Sequence, residues 1–157
     1  MSLELTIRDY ADSDWEAICR VHDRARPIEL ACDSNFTGKT RVRSLAEAAE
    51  ADGFFDSRTV VAVAGGRVVG FASINQAYLS FLYVDPEFHR QGVGRALLAN
   101  VAPQMGHDGY TNVLATNTPA IAFYIAAGME VTGRFFDRAE GMPCACLRLG
   151  FNKPAQL

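Results

Sequence analysis

Several things are scarce in this chain of 157 residues, and each scarcity closes off a class of answer. No run of about 18 apolar residues occurs, so no segment reads as a membrane-crossing helix and no membrane partner is expected. The opening stretch "MSLELTIRDY" lacks the charged and apolar segments of an export signal, which points to a cytoplasmic location. Charge is close to balanced, with 18 acidic side chains against 15 basic for a net −3. Such a balance leaves no basic footprint for a phosphate backbone, so nucleic acid is not expected as a partner. The cysteines are Cys19, Cys32, Cys144 and Cys146, with no second cysteine or histidine pair at zinc-finger spacing, and no metal ligand is assigned. Cys144 and Cys146 stand two apart in an extended stretch, which puts both on one face as reduced, partly buried thiols. Repeats, linkers and low-complexity segments are absent as well.

Apolar residues are plentiful, at 49% of the chain. A chain this long can bury roughly two thirds of its unfolded surface, so a single domain over 1–157 is expected, its core spanning about 3–151.

The periodicity changes along the chain. "LELTIRDY" alternates as a strand, and Ser13 with Glu16 matches a capping box opening a helix whose apolar face carries Trp15, Ile18, Cys19 and His22. From Arg24 to Arg43 the pattern dissolves, which predicts a long functional or mobile loop. Ser44 and Glu47 form a second capping box before a short helix that Gly53 can close. "TVVAVAGGRVVGFASI" reads as two strands around a tight Gly65-Gly66 turn, and "YLSFLYV" as a third at 78–84. After a helix with Val93, Ala96, Leu97 and Val101 on one side, "TNVLAT" is a strand. "TPAIAFYIAAG" is then a helix with Thr118 as its cap, Pro119 at the first helical position and Gly128 at its end. "EVTGRFFD" and "CACLRLGF" complete the sheet as antiparallel strands across a loop at Arg138 to Cys144. The sum is an α/β fold: a mixed, mostly antiparallel sheet of six or seven strands flanked by about four helices.

Within "DPEFHRQGVGRALL", Gly92 and Gly94 sit where a strand hands over to a helix. A helix N-terminus exposes unpaired N–H groups and partial positive charge, and glycine lets an anion approach that backbone. Gln91 to Arg95 is thus a candidate pyrophosphate cradle. A dinucleotide fingerprint would need a third glycine at the position of Leu97, and a P-loop would need a Gly-Lys-Ser or Gly-Lys-Thr triplet that the chain lacks.

What remains resembles the GCN5-related N-acetyltransferase family, whose acetyl-CoA signature is Arg or Gln, two residues, Gly, one residue, then Gly or Ala. Here that window is His89-Arg90-Gln91-Gly92-Val93-Gly94, with His89 departing at the first place. "NTPAIAFYIAAGM" resembles a second signature through Asn117, Ala120, Tyr124, Gly128 and Met129, and "SFLYVDPEF" resembles the family's bulged fourth strand. These matches cover about Thr59 to Phe136. The resemblance implies the acyltransferase fold, acetyl-CoA as co-substrate without a metal, and transfer of acetyl to a primary amine by direct attack. It implies that Arg90, Gln91, Gly92, Val93, Gly94 and Arg95, with Asn117, hold the cofactor. It implies that the backbone at Leu82, Tyr83 and Val84 polarises the carbonyl, and that Tyr124, also against the cofactor, donates a proton to the sulfur.

The acceptor side is less legible. Tyr78 and Ser80 are the polar side chains within the fourth strand, which carries no carboxylate, and the variable segment offers His22, Glu29 and Asp33 as contacts or bases, with a water relay equally open. The acidic balance favours a small amine over a protein acceptor, and a homodimer is compatible with this reading. Two other readings keep the anion cradle: a non-catalytic acyl-CoA-binding module and a nucleotide-binding protein.

Overall fold

The computed structural model describes residues 3–36 and 41–151. Strand β1 is Thr6–Asp9, followed by helices α1 (Trp15–Leu30) and α2 (Leu45–Ala48). Strands β2 (Arg58–Ala64), β3 (Arg67–Asn75) and β4 (Tyr78–Val84) come next, then α3 (Val93–Met105), β5 (Tyr110–Leu114), α4 (Thr118–Ala126), β6 (Glu130–Ala139) and β7 (Met142–Gly150). They form one seven-stranded sheet in the order β1-β2-β3-β4-β5-β7-β6, antiparallel except where β4 meets β5. The mixed sheet with four helices is the architecture expected from the sequence.

Alternation along β2 explains the layering. Val60, Ala62 and Ala64 pack toward α3 and α4 with Leu97, Val101 and Met129, whereas Val61 and Val63 join Ile18, Val21, Leu45 and Phe71 beneath α1 and α2. β3 is buried from Val68 to Ile74, as a strand covered on both faces must be. Among the described residues no helix is long and apolar enough to cross a membrane.

Two expectations about helix starts need correction. The first helix is not capped by Ser13 and Glu16. Asp14 organises its start instead, accepting from the Ala11 amide at 2.9 Å and pairing with Arg8 at 2.8 Å. Asn117, not Thr118, caps α4, its side-chain oxygen accepting from the Ala120 amide at 3.2 Å, and Pro119 follows Thr118 inside the first turn. An Asn one residue further out offers an amide oxygen at the reach that N3 requires. The Ser44–Glu47 box forms in both directions, at 3.2 and 3.0 Å.

Two expected loops also shorten. α1 runs on to Leu30 through Pro27, which removes one intrahelical bond. Burial of Ala25 and Leu30 and the Arg26–Glu29 pair one turn along carry the helix past it. Residues 37–40 of the unpatterned stretch lie outside the described residues. The loop expected at Arg138 to Cys144 contracts to the two-residue turn Glu140-Gly141, both at positive φ (48° and 78°). Glu–Gly is a weaker hairpin signal than Asn–Gly, and the Glu140 side chain is held from outside the hairpin, by Arg43.

Candidate functional site

β4 and β5 share one register pair, Tyr78 with Tyr110, reinforced by the Thr111 hydroxyl donating to the Leu79 carbonyl at 2.9 Å. Beyond it the strands part. On its other side β4 stays paired to β3, with Ser80 the extra residue of a bulge, since Phe81 faces Ser73 and Leu79 faces Ile74. The Asp85 amide donates to Val69 on β3, so by the alternation of a strand the amides of Tyr83 and Phe81 also face β3. Those of Leu82 and Val84 face the gap. His89 reaches the Val84 carbonyl from that side, Nε2 at 3.0 Å.

The gap widens into a cleft of about 1190 Å³. Helix α3 opens on it. Gly92 precedes the helix at φ 84°, a conformation that strains any residue with a Cβ. Gly94 is under no such strain: a Cβ there would meet Phe123 at 3.4 Å and Val84 at 3.8 Å, both cleft-lining, so a larger side chain at this place would crowd the cleft wall at the start of the helix. The first amides of α3 have no intrahelical acceptor. A narrow, anion-seeking groove is thus followed by an exposed strand edge, a shape suited to an extended ligand with a diphosphate at one end.

The strand end that feeds the glycines is fastened by Asp85, a fully buried carboxylate. It accepts from the Glu87 amide at 2.9 Å and from Arg24 and Arg67 at 3.1 and 3.3 Å. This anchor was not read from the sequence. Asp85 precedes Pro86 with no local signal of its role, and its partners lie on α1 and β3.

Tyr124 on α4 is 7% exposed and lines the cleft. Burial, then the nearby Glu29 carboxylate, hold its phenol well above the ordinary tyrosine range, while the Thr111 hydroxyl works the other way. The group stays protonated at neutral pH.

Of the residues singled out from the sequence, Leu82, Tyr83, Val84, Arg90, Gly92, Val93, Gly94, Arg95, Asn117 and Tyr124 all line this cleft, as do His22, Glu29, Tyr78 and Ser80. Gln91 does not: its side-chain amide turns back to the Glu87 carbonyl at 3.3 Å. Asp33 does not either, being buried and bonded to the Asn35 amide and Thr116. His22 is 4% exposed, donates Nδ1–H to Asp23 at 2.9 Å and packs its ring 4.9 Å from Tyr83. Tyr83 contributes through its hydroxyl, which donates to Glu29 at 2.7 Å. Arg26, Arg43 and Glu140 also reach the cleft and went unread, because residues 26, 43 and 140 give no local pattern that joins them. Cys144 and Cys146 share one face as expected, their sulfurs 3.7 Å apart, away from the cleft.

Comparison with known proteins agrees with this geometry. The peptidyl-lysine N-acetyltransferase YjaB of Escherichia coli (strain K12) is 35% identical over 83 residues, 53% of this chain and 56% of that protein. The [ribosomal protein bS18]-alanine N-acetyltransferase of the same organism is 35% identical over 73 residues, 41% of this chain and 49% of its own. The chain therefore spans about half the length of the curated relatives it matches. In fold, the crystal structure of a GCN5-related N-acetyltransferase from Rhodopseudomonas palustris superposes with a TM-score of 0.77 at 20% identity, covering 95% of this chain and 96% of that one. The model of the acetyltransferase (GNAT) family matches residues 15–129, the segment that contains the parted strands, the glycine-led helix and Tyr124, and the chain belongs to that family.

Proposed function

We propose that the protein transfers an acetyl group from acetyl-CoA to a primary amine. The observation that carries this reading is a convergence: the parting of β4 from β5 puts the gap-facing amides of Leu82 and Val84, the N-terminus of α3 and Tyr124 along one cleft. Each meets a demand of acyl transfer from a thioester. The α3 amides, with Arg90 and Arg95 beside them, would hold the diphosphate of coenzyme A. A strand-edge amide would stabilise negative charge developing on the carbonyl oxygen. Tyr124, kept protonated by burial, would supply a proton to the departing sulfur.

Direct attack of the amine fits better than passage through an enzyme thiol. Cys32 is the cysteine that lines the cleft, and burial pushes its thiol up, away from the thiolate a nucleophile needs. The acceptor expected from charge balance alone, a small amine, sits poorly with relatives named for protein acceptors. A primary amine is what these acceptors have in common.

Release of free thiol from acetyl-CoA, followed across a panel of small and peptide amines, tests the proposal. Amine-dependent release is expected. Uptake of acetyl-CoA with no release for any amine would leave a binding module in place of an enzyme.

A further inference from the structure

A charge network crosses the acceptor end of the cleft, and the donor chemistry makes no use of it. Glu29 Oε1 accepts from the Tyr83 hydroxyl at 2.7 Å and from Arg26 Nη1 at 2.6 Å. Arg26 Nη2 reaches Glu140 Oε2 at 3.4 Å, and Glu140 also accepts from the Arg43 amide at 2.6 Å and its guanidinium at 3.2 Å. Removing charges from water is expensive even when they are paired, so a network like this at the wall of a cavity calls for a purpose.

The two carboxylates differ in what they have left. Glu140 is 3% exposed and both its oxygens are engaged by arginines. Glu29 is 29% exposed, and both its donors fall on Oε1, leaving Oε2 without a protein partner among the described residues. Glu29 lines the cleft, and its charge reaches the Tyr124 phenol. A half-open carboxylate, fixed at one oxygen by two donors, thus lines the same cleft as the proton donor, with its other oxygen unclaimed among the described residues.

We infer that Glu29 docks the ammonium group of the acceptor, making cationic aliphatic amines the substrate class, with Tyr83 and Arg26 as positioning residues that aim it. The inference rests on the acetyltransfer reading above. In the step it serves, the ammonium gives up one proton toward Glu29 and solvent, the nitrogen lone pair forms the C–N bond, and the C–S bond breaks with its electron pair going to sulfur. Sulfur takes a proton from Tyr124, which is restored by the second proton leaving the nitrogen. The third stays on the amide.

Steady-state kinetics of wild type, Glu29→Gln and Tyr83→Phe test this with three acceptors: spermidine, an N-terminally blocked lysine peptide, and hydroxylamine, which is neutral at pH 7.5. Glu29→Gln should raise KM about tenfold or more for whichever cationic acceptor is used, while acetyl-CoA affinity and KM for hydroxylamine stay within about twofold. Tyr83→Phe should show the same split, more weakly. Spermidine against the peptide separates a free polyamine from a protein lysine as the source of that amine. An unchanged KM for the cationic acceptors, an equal loss with hydroxylamine, or a wild type that binds acetyl-CoA yet acetylates neither cationic amine would overturn the inference. Failure of the wild type to bind acetyl-CoA would instead remove the acetyltransfer reading beneath it.

Discussion

Tyr78 and Tyr110 face each other across the one rung that joins β4 to β5, their rings stacked with centroids 5.1 Å apart, and the cleft begins directly beyond them. Arg148 lies 4.3 Å over the Tyr110 ring and its Nε donates to Asn112 at 3.3 Å, so β7 helps hold the rivet closed. The hinge of the wedge is therefore an aromatic pair with two hydrogen bonds beside it, from the Tyr110 amide to the Ala77 carbonyl and from the Thr111 hydroxyl to the Leu79 carbonyl, each at 2.9 Å.

Tyr110→Ala should remove that stack and its burial together, at about 2 kcal/mol or a melting temperature lower by roughly 6 °C. Acetyl-CoA affinity should fall with it, because the strand edge is no longer set at a fixed spacing. Tyr110→Phe keeps the ring and should leave both near wild type. Thermal denaturation with and without ligand checks this.

Tyr124→Phe should reduce turnover by about 100-fold while acetyl-CoA affinity stays within about twofold, the signature of a group that acts on the leaving sulfur and not on binding. Unchanged turnover would remove the hydroxyl from the mechanism.

Cys32→Ser should retain most of the wild-type turnover, and mass spectrometry of the wild type quenched during turnover should show no acetylated enzyme. Burial raises the Cys32 thiol by more than its contact with Thr116 at 3.8 Å lowers it. An acetyl group found on Cys32 would contradict direct attack.

Glu140 supplies a pH dependence. Burial pushes its carboxyl up, but the bonds from Arg43 and the charge of Arg26 outweigh this and hold it below the ordinary glutamate range. A lowered folded-state value stabilises the fold at pH above the unfolded value of about 4.3, and the gain is lost as pH falls through the lower folded value. Glu140→Gln should thus be less stable than wild type at neutral pH, on the order of 3 kcal/mol. The two denaturation midpoints should converge as pH drops below about 4. A gap that persists at pH 2 would mean that shape, not charge, is what Glu140 contributes.

The legible parts of this molecule were those written in local pattern. The alternation of β2, the strand at 78–84, the Ser44–Glu47 box and the left-handed turn at Gly65-Gly66 each follow from a few neighbouring residues. The glycine-led helix and the Asn117-to-Met129 stretch were legible for the same reason. The illegible parts depend on partners far away in the chain. Pro27 passes through a helix because Leu30 and Ala25 are buried by other elements, and Glu140 adopts a left-handed turn while Arg43 grips its carboxylate. Asp85 draws on Arg24 and Arg67, and Glu29 on Tyr83, 54 residues on. Such pairings leave no period and no motif, so the acceptor side of the cleft came into view only with the fold.

The most direct test of the account is calorimetric titration of coenzyme A into wild type and Gly94→Val. Saturable binding by the wild type is expected, with a loss of about 100-fold or more in the variant and the melting temperature of the unliganded protein shifted by only a few degrees, because the branched side chain crowds Phe123 and Val84 where they line the cleft at the helix start. Equal affinity in the two proteins, or no uptake by the wild type, would contradict it.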